Sequence, residues 1–222
     1  HGKGITGFNI TLWDNGGLQG ADHNLNSTTL QVMFEVLPVN QAPGFRVPTT
    51  VWAHEDSGRN TFQNFSTRIS ADGRDETTEP SQNYTFELEF TSSELFASGG
   101  GPIISREGTL NFTTALNQFG FSQVTARLRD DGGKDYGGDD TSVDHVFRIY
   151  IVPVNDVPAF SISSQFKVME GSGGHRIVQA ATDIVPGPSN ERCPNMNDFC
   201  DLQTVTFIVE DNSDPDLFVG VP

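Results

Sequence analysis

The chain repeats itself at an interval of about 115 residues, so whatever unit it builds must be built more than once. LWDNGG (12–17) returns as LRDDGG (128–133), and VLPVNQAPGF (36–45) returns as IVPVNDVPAF (151–160). VWAHEDSG (51–58) then aligns with FKVMEGSG (166–173), and NYTFELE (83–89) with TVTFIVE (204–210). The matches keep one order along the chain, as a duplicated unit requires.

Periodicity says what the unit is. In HVFRIYIV, Phe147, Ile149 and Ile151 share one face, and their repeat partners are Val32, Phe34 and Val36. Tyr84, Phe86, Leu88 and Phe90 alternate with Asn83, Thr85, Glu87 and Glu89. Leu110 and Phe112 alternate likewise, as do Val124, Ala126 and Leu128. Such period-two segments, separated by turns rich in the 23 glycines and 12 prolines, predict half-buried strands. About seven of them in about 100 residues predict an antiparallel β-sandwich. Trp13 is expected to face outward, and Trp52 is expected in the core.

The ordered motifs then become specific. An acidic residue opens the unit, followed by an Ala-Asp turn, F-x-L, GTL-F, V-x-A-x-L-x-D-x-G and a terminal V-x-V-N-D-x-P-x-F. Together they resemble the cadherin-like tandem repeat and the VCBS-type repeats of large surface adhesins. The resemblance spans the chain in three pieces and implies an all-β fold of tandem antiparallel Greek-key sandwiches, cadherin- or immunoglobulin-like. Residues 1–42 would be the C-terminal part of one domain, 43–157 a complete domain, and 158–222 the N-terminal part of a third.

The same resemblance implies calcium at the joints, where oxygens from two domains gather around a hard cation. At the second joint the matching residues are Asn155 and Asp156, with Glu55 as the opening acid and Asp183 as the Ala-Asp ligand. At the first joint Asn40 remains, Gln41 replaces the aspartate, and Asp72 and Asp75 would be the next-domain ligands. The family's acidic triplet should fall near Thr114 and Ala115 and is missing, so zero or one ion per joint is expected. The competing reading is that Asn, Asp and Pro merely shape a turn. The acidic loop DDGGKDYGGDD (Asp130, Asp131, Asp135, Asp139, Asp140) has the same two readings, and the solvated turn is the expected one.

Thirteen basic against 29 acidic side chains give a net charge of −16. Such a surface repels phosphate, so nucleic acid is not expected as a partner. No apolar run approaches the ~20 residues needed to cross a bilayer, so membrane insertion is not expected either. His1 opens without a signal peptide, and the chain is expected to be a mature or excised piece. Five N-x-S/T sequons, at Asn9, Asn26, Asn64, Asn83 and Asn111, predict N-linked glycans on an extracellular protein. Asn9, Asn83 and Asn111 fall on outward strand positions. Unused surface asparagines in a bacterial adhesin are the alternative. Cys193 and Cys200 predict a disulfide stapling an inserted loop in an oxidising compartment.

Nothing in the sequence supports catalysis: there is no HExxH spacing and no G-x-S-x-G elbow. His54 beside Glu55 is expected to be a surface residue opening a strand. The function expected is a structural module of an extracellular fibrous glycoprotein. Its opening and closing pieces would join head-to-tail between copies into a filament, unless covalent neighbours complete them. The rival is a calcium-dependent cell-surface adhesin or glycan-binding module, with Trp13 as the sugar-stacking residue.

Overall fold

The computed structural model describes residues 3–14, 25–26, 28–71, 82–189 and 203–217. Apart from short 3-10 turns, the described residues are all-β. The strands are β1 (Gly4–Ile10), β2 (Trp13–Asp14), β3 (Leu25–Asn26), β4 (Leu30–Val36), β5 (Gly44–Arg46), β6 (Thr50–His54), β7 (Arg59–Phe62) and β8 (Thr67–Ser70). They continue as β9 (Tyr84–Phe90), β10 (Ile103–Ile104), β11 (Leu110–Thr113), β12 (Gly120–Asp130), β13 (His145–Val152), β14 (Ala159–Ile162) and β15 (Ala181–Val185).

Residues 43–157 hold the core. A four-stranded sheet in the order β6-β13-β12-β9 and a three-stranded sheet in the order β10-β11-β7 contribute to one apolar cluster. The alternation in the sequence is the cause: Val124, Ala126 and Leu128 of β12 bury one face beside Phe147, Ile149 and Ile151 of β13. Leu110 and Phe112 of β11 enter the same cluster. Phe65 meets Phe147 edge-on at 4.9 Å, and Phe96 meets Phe112 at 5.8 Å. Each fully buried Leu, Ile or Phe side chain contributes about 1.5–3 kcal/mol by leaving water.

Several expectations need correction. One pairing of the main sheet, β6 with β13, is parallel, although every other strand pairing is antiparallel. Trp52 is not in the core but 56% exposed. Val51 and Ala53 take the inward positions of β6, so the residue between them must point out. His54 ends β6 rather than opening a strand. Phe90, at the far end of β9, leaves the buried row and is exposed.

The duplication reappears in the backbone. β5 pairs β8 through Gly44↔Ser70 and Arg46↔Thr67 with a register irregularity between. β14 pairs β15 through Ala159↔Val185 and Ser161↔Thr182, with its irregularity at the matching place. Likewise Gly4↔Val36 of β1 and β4 matches Gly120↔Ile151 of β12 and β13. Left-handed residues recur too: Asn64 (φ 54) with Gln179 (φ 55), and Arg68 (φ 51) with Asp183 (φ 52). Phe45 and Phe86 meet edge-on at 5.1 Å, and their counterparts Phe160 and Phe207 do so at 5.0 Å.

Candidate functional site

The two V-N joints carry most of the specific polar chemistry. At the first, Asn40 leaves its strand and plugs into the acidic glycine-rich loop that follows β12. Its Nδ2 donates to Asp130 Oδ1 at 2.9 Å, to the Gly133 carbonyl at 3.0 Å and to the Asp139 carbonyl at 2.9 Å. Its Oδ1 accepts from Gln82 Nε2 at 2.9 Å, and its carbonyl accepts from the Asp139 amide at 3.2 Å. Asp130 Oδ1 also accepts from the Gly132 amide at 2.9 Å, which folds the loop around the plug.

Glycine is needed here because the backbone must come close. A Cβ on Gly132 would lie 2.2 Å from Asn40 Oδ1, and one on Gly138 would lie 3.0 Å from Asn40 Cβ. The acidic loop is largely exposed, as a solvated turn should be, and it is also the socket of Asn40. Asp130 and Asp140 are both buried, at 6% exposure, whereas Asp131, Asp135 and Asp139 are exposed. Asp140 is satisfied by Thr141 Oγ1 at 2.7 Å and Lys134 Nζ at 3.1 Å, and these contacts hold its carboxyl below the usual range. Asp131 accepts from Asn83 Nδ2 at 3.0 Å and from the Asn83 amide at 2.9 Å, which lowers its carboxyl as well.

At the second joint Glu55 is buried. Its Oε1 accepts from the Val154 amide at 2.9 Å while its own amide donates to the Val152 carbonyl at 2.9 Å. The chain leaving β13 is thus latched to the chain leaving β6. Asn155 Oδ1 accepts from Gln203 Nε2 at 2.6 Å, and its Nδ2 donates to the Asp156 carbonyl at 3.3 Å. Gln203 stands one residue before TVTFIVE, as Gln82 stands one residue before NYTFELE, so an Asn–Gln pair recurs at both joints.

The expected calcium ligands do not assemble into a centre. Glu55, Asp156 and Asp183 are all described, yet no three His, Cys, Asp or Glu side chains among the described residues converge as a metal site requires. The backbone shows one reason. Asp183 lies inside β15 at the position of Arg68, four residues short of where Asp72 stands, and accepts from its neighbour Thr182 at 3.1 Å. Asp72, Asp75, Cys193 and Cys200 lie outside the described residues.

Among the sequons, Asn9 is exposed on β1, and Asn64 is exposed in a turn at φ 54. Asn26 lies in β3 opposite Trp13. Asn83 is exposed but tied, since Arg106 Nη1 donates to its Oδ1 at 3.3 Å while its amide group holds Asp131. Asn111 is half-buried in β11, where its Oδ1 accepts from Thr61 Oγ1 at 2.9 Å.

A feature that the sequence reading missed is an aromatic row on the outer face of the main sheet. Trp52 stacks on Tyr150 at 4.5 Å with planes 16° apart, and Phe121 lies 5.8 Å beyond Tyr150. Placing Trp52 outward by its strand phase would have found it. Compared with known proteins, the chain matches no family model, no curated sequence and no solved structure.

Proposed function

We propose that this chain is a structural repeat module of an extracellular fibrous glycoprotein, assembling head-to-tail with copies of itself and carrying N-linked glycans on its outer faces. The carrying observation is the Asn40 plug. The side chain and backbone carbonyl of a residue beyond the strand that precedes the central unit together make five hydrogen bonds to that unit's loop and to Gln82. Binding Asn40 this way costs chain entropy, and its return is a joint with little freedom to bend. The repeated Asn–Gln pair at the second joint extends the same device along the chain. In this reading the module's work is mechanical.

Imaging of native material labelled with an antibody against residues 43–157 tests the reading. Labels spaced regularly along a rod or fibre are expected; labels on dispersed globular particles contradict it. Glycopeptide mass spectrometry of the same material is expected to find glycans at Asn9, Asn26, Asn64, Asn83 and Asn111.

A second reading has one observation behind it. Exposed Trp52 and Phe121, with half-buried Tyr150 between them, offer an aromatic face of the kind on which sugar rings stack, with Trp13 exposed on the opening piece. A glycan-binding adhesin would lose its ligand in Trp52→Ala, whereas fibre formation would survive that change.

A further inference from the structure

We infer that the β1–β4 hairpin and the segments 165–169 and 205–211 are complementary parts of one sheet, and that a second copy of this chain supplies the missing part in a fixed register. This rests on the structural-repeat reading above. Among the described residues, β1 and β4 pair only with each other. Their counterparts β12 and β13 are the two middle strands of the main sheet, flanked by β9 and β6. The counterparts of those flanking strands are residues 205–211 and 165–169, and neither segment forms a strand here. One part of the chain has the middle of the sheet, and another has the sequences of both edges.

Transferring the observed pairings makes the fit specific. Val124↔Phe90, Ala126↔Leu88 and Leu128↔Phe86 of the main sheet translate the β12–β9 edge into Ile10 opposite Val209 and Leu12 opposite Phe207. Ile149↔Val51 and Ile151↔Ala53 translate the parallel edge into Phe34 opposite Phe166 and Val36 opposite Val168. These four inward pairs are apolar on both sides, whereas Val124↔Phe90 becomes Phe8 opposite Asp211 at the end of the edge. All eight of these side chains are exposed in the single chain. A one-residue slip would lose this match, because it reverses the faces.

Charge supports the same register. Between the two inward pairs, the outward pair Tyr150↔Trp52 becomes Glu35 opposite Lys167. In a chain with 29 acidic and only 13 basic side chains, one of the few lysines thus stands opposite a glutamate. The polar joint extends too. Asn40 pairs with Gln82 on one side and Asp130 on the other. Asn155 already pairs with Gln203, and the counterpart of Asp130 is Asp14, at the end of the hairpin's second strand segment. Because the two surfaces differ, the contact is heterologous and propagates.

Cross-linking decides the matter. The full chain is prepared as Glu35→Cys and, separately, as Lys167→Cys, and each is oxidised mildly alone and after mixing. Peptide mapping is expected to show a 35–167 disulfide in the mixture and no 35–35 or 167–167 link in either variant alone. Sedimentation adds a second readout. Glu35→Lys or Lys167→Glu alone is expected to weaken association roughly five-fold, and mixing the two is expected to restore it. Chains that associate without the 35–167 link overturn this register but leave the fibrous reading standing. A 35–167 link confined to a single chain carrying both cysteines overturns the second copy as the occupant. A chain that stays monomeric at all concentrations overturns it as well, while labelled fibres in native material would still stand for the module.

Discussion

The β12–β13 pair and the β1–β4 pair are nearly the same object in different surroundings. Both are antiparallel, both open on a glycine of positive φ (Gly120 at 140° and Gly4 at 136°), and both place large apolar side chains on one face. Yet Ile149 is fully buried, whereas its counterpart Phe34 is 51% exposed. The hairpin's local order therefore comes from its own alternation and cross-strand pairing, and burial comes from strands far away in sequence. A two-stranded ribbon alone is marginal in water, so the exposed copy needs a partner that the buried copy already has.

Core truncation should separate the two copies most sharply. Ile149→Ala is expected to destabilise the chain by about 2–5 kcal/mol in denaturant unfolding, through lost transfer energy and a cavity. Phe34→Ala in dilute solution is expected to cost less than about 1 kcal/mol, mainly the edge contact with Phe8 at 5.3 Å. Equal losses would mean that the hairpin face is already covered within the chain.

The two joints should differ next. Asn40→Ala takes one donor from buried Asp130 and one acceptor from Gln82, so a loss of about 1–3 kcal/mol is expected. Asn155→Ala removes an exposed bond to Gln203 and should cost less than about 1 kcal/mol in the dilute chain. The gap between them should narrow at concentrations where the chain associates.

Acid should act mainly on the central unit. Asp131, Asp140 and Asp144 have folded values lowered by hydrogen bonds to Asn83, Thr141 and Arg127 respectively. A lowered folded value means the stabilisation is present above the unfolded value of about 4 and is lost as pH falls through the folded one. The melting temperature is expected to be flat between pH 7 and about 5 and to drop below about 4. Asp144→Asn, which leaves Arg127 with Glu89 as its remaining carboxylate partner, should flatten part of that drop. The smallest effect expected is that of calcium. Since Glu55, Asp156 and Asp183 do not converge, melting in millimolar calcium and in chelator should coincide at the second joint.

Much of this was legible because it is local. Period-two alternation placed Leu110, Val124, Leu128 and Ile149 inward, and each is fully buried. Trp52 was misplaced because its size suggested core, although the phase of Val51 and Ala53 excluded that. The acidic loop's role as a socket was hidden for a different reason. Its glycines and aspartates look like a solvated turn until Asn40, 90 residues away from Asp130, is brought into it. Asp183 was misaligned because its Ala-Thr-Asp resembles Ala-Asp in letters, while strand register places it at Arg68. The parallel β6–β13 pairing has no local signature at all, since direction depends on how the chain crosses between strands.

Hydrogen exchange at several protein concentrations tests the central claim most directly, which is that the β1–β4 hairpin is an unfinished copy of β12–β13 awaiting a second chain. Amides of β12 and β13 are expected to exchange slowly at every concentration. Amides of residues 4–14 and 30–37, together with those of 165–169 and 205–211, are expected to exchange fast in dilute solution and slow as concentration rises. Slow exchange of the hairpin at the lowest concentration, or fast exchange of it at every concentration, would contradict the account.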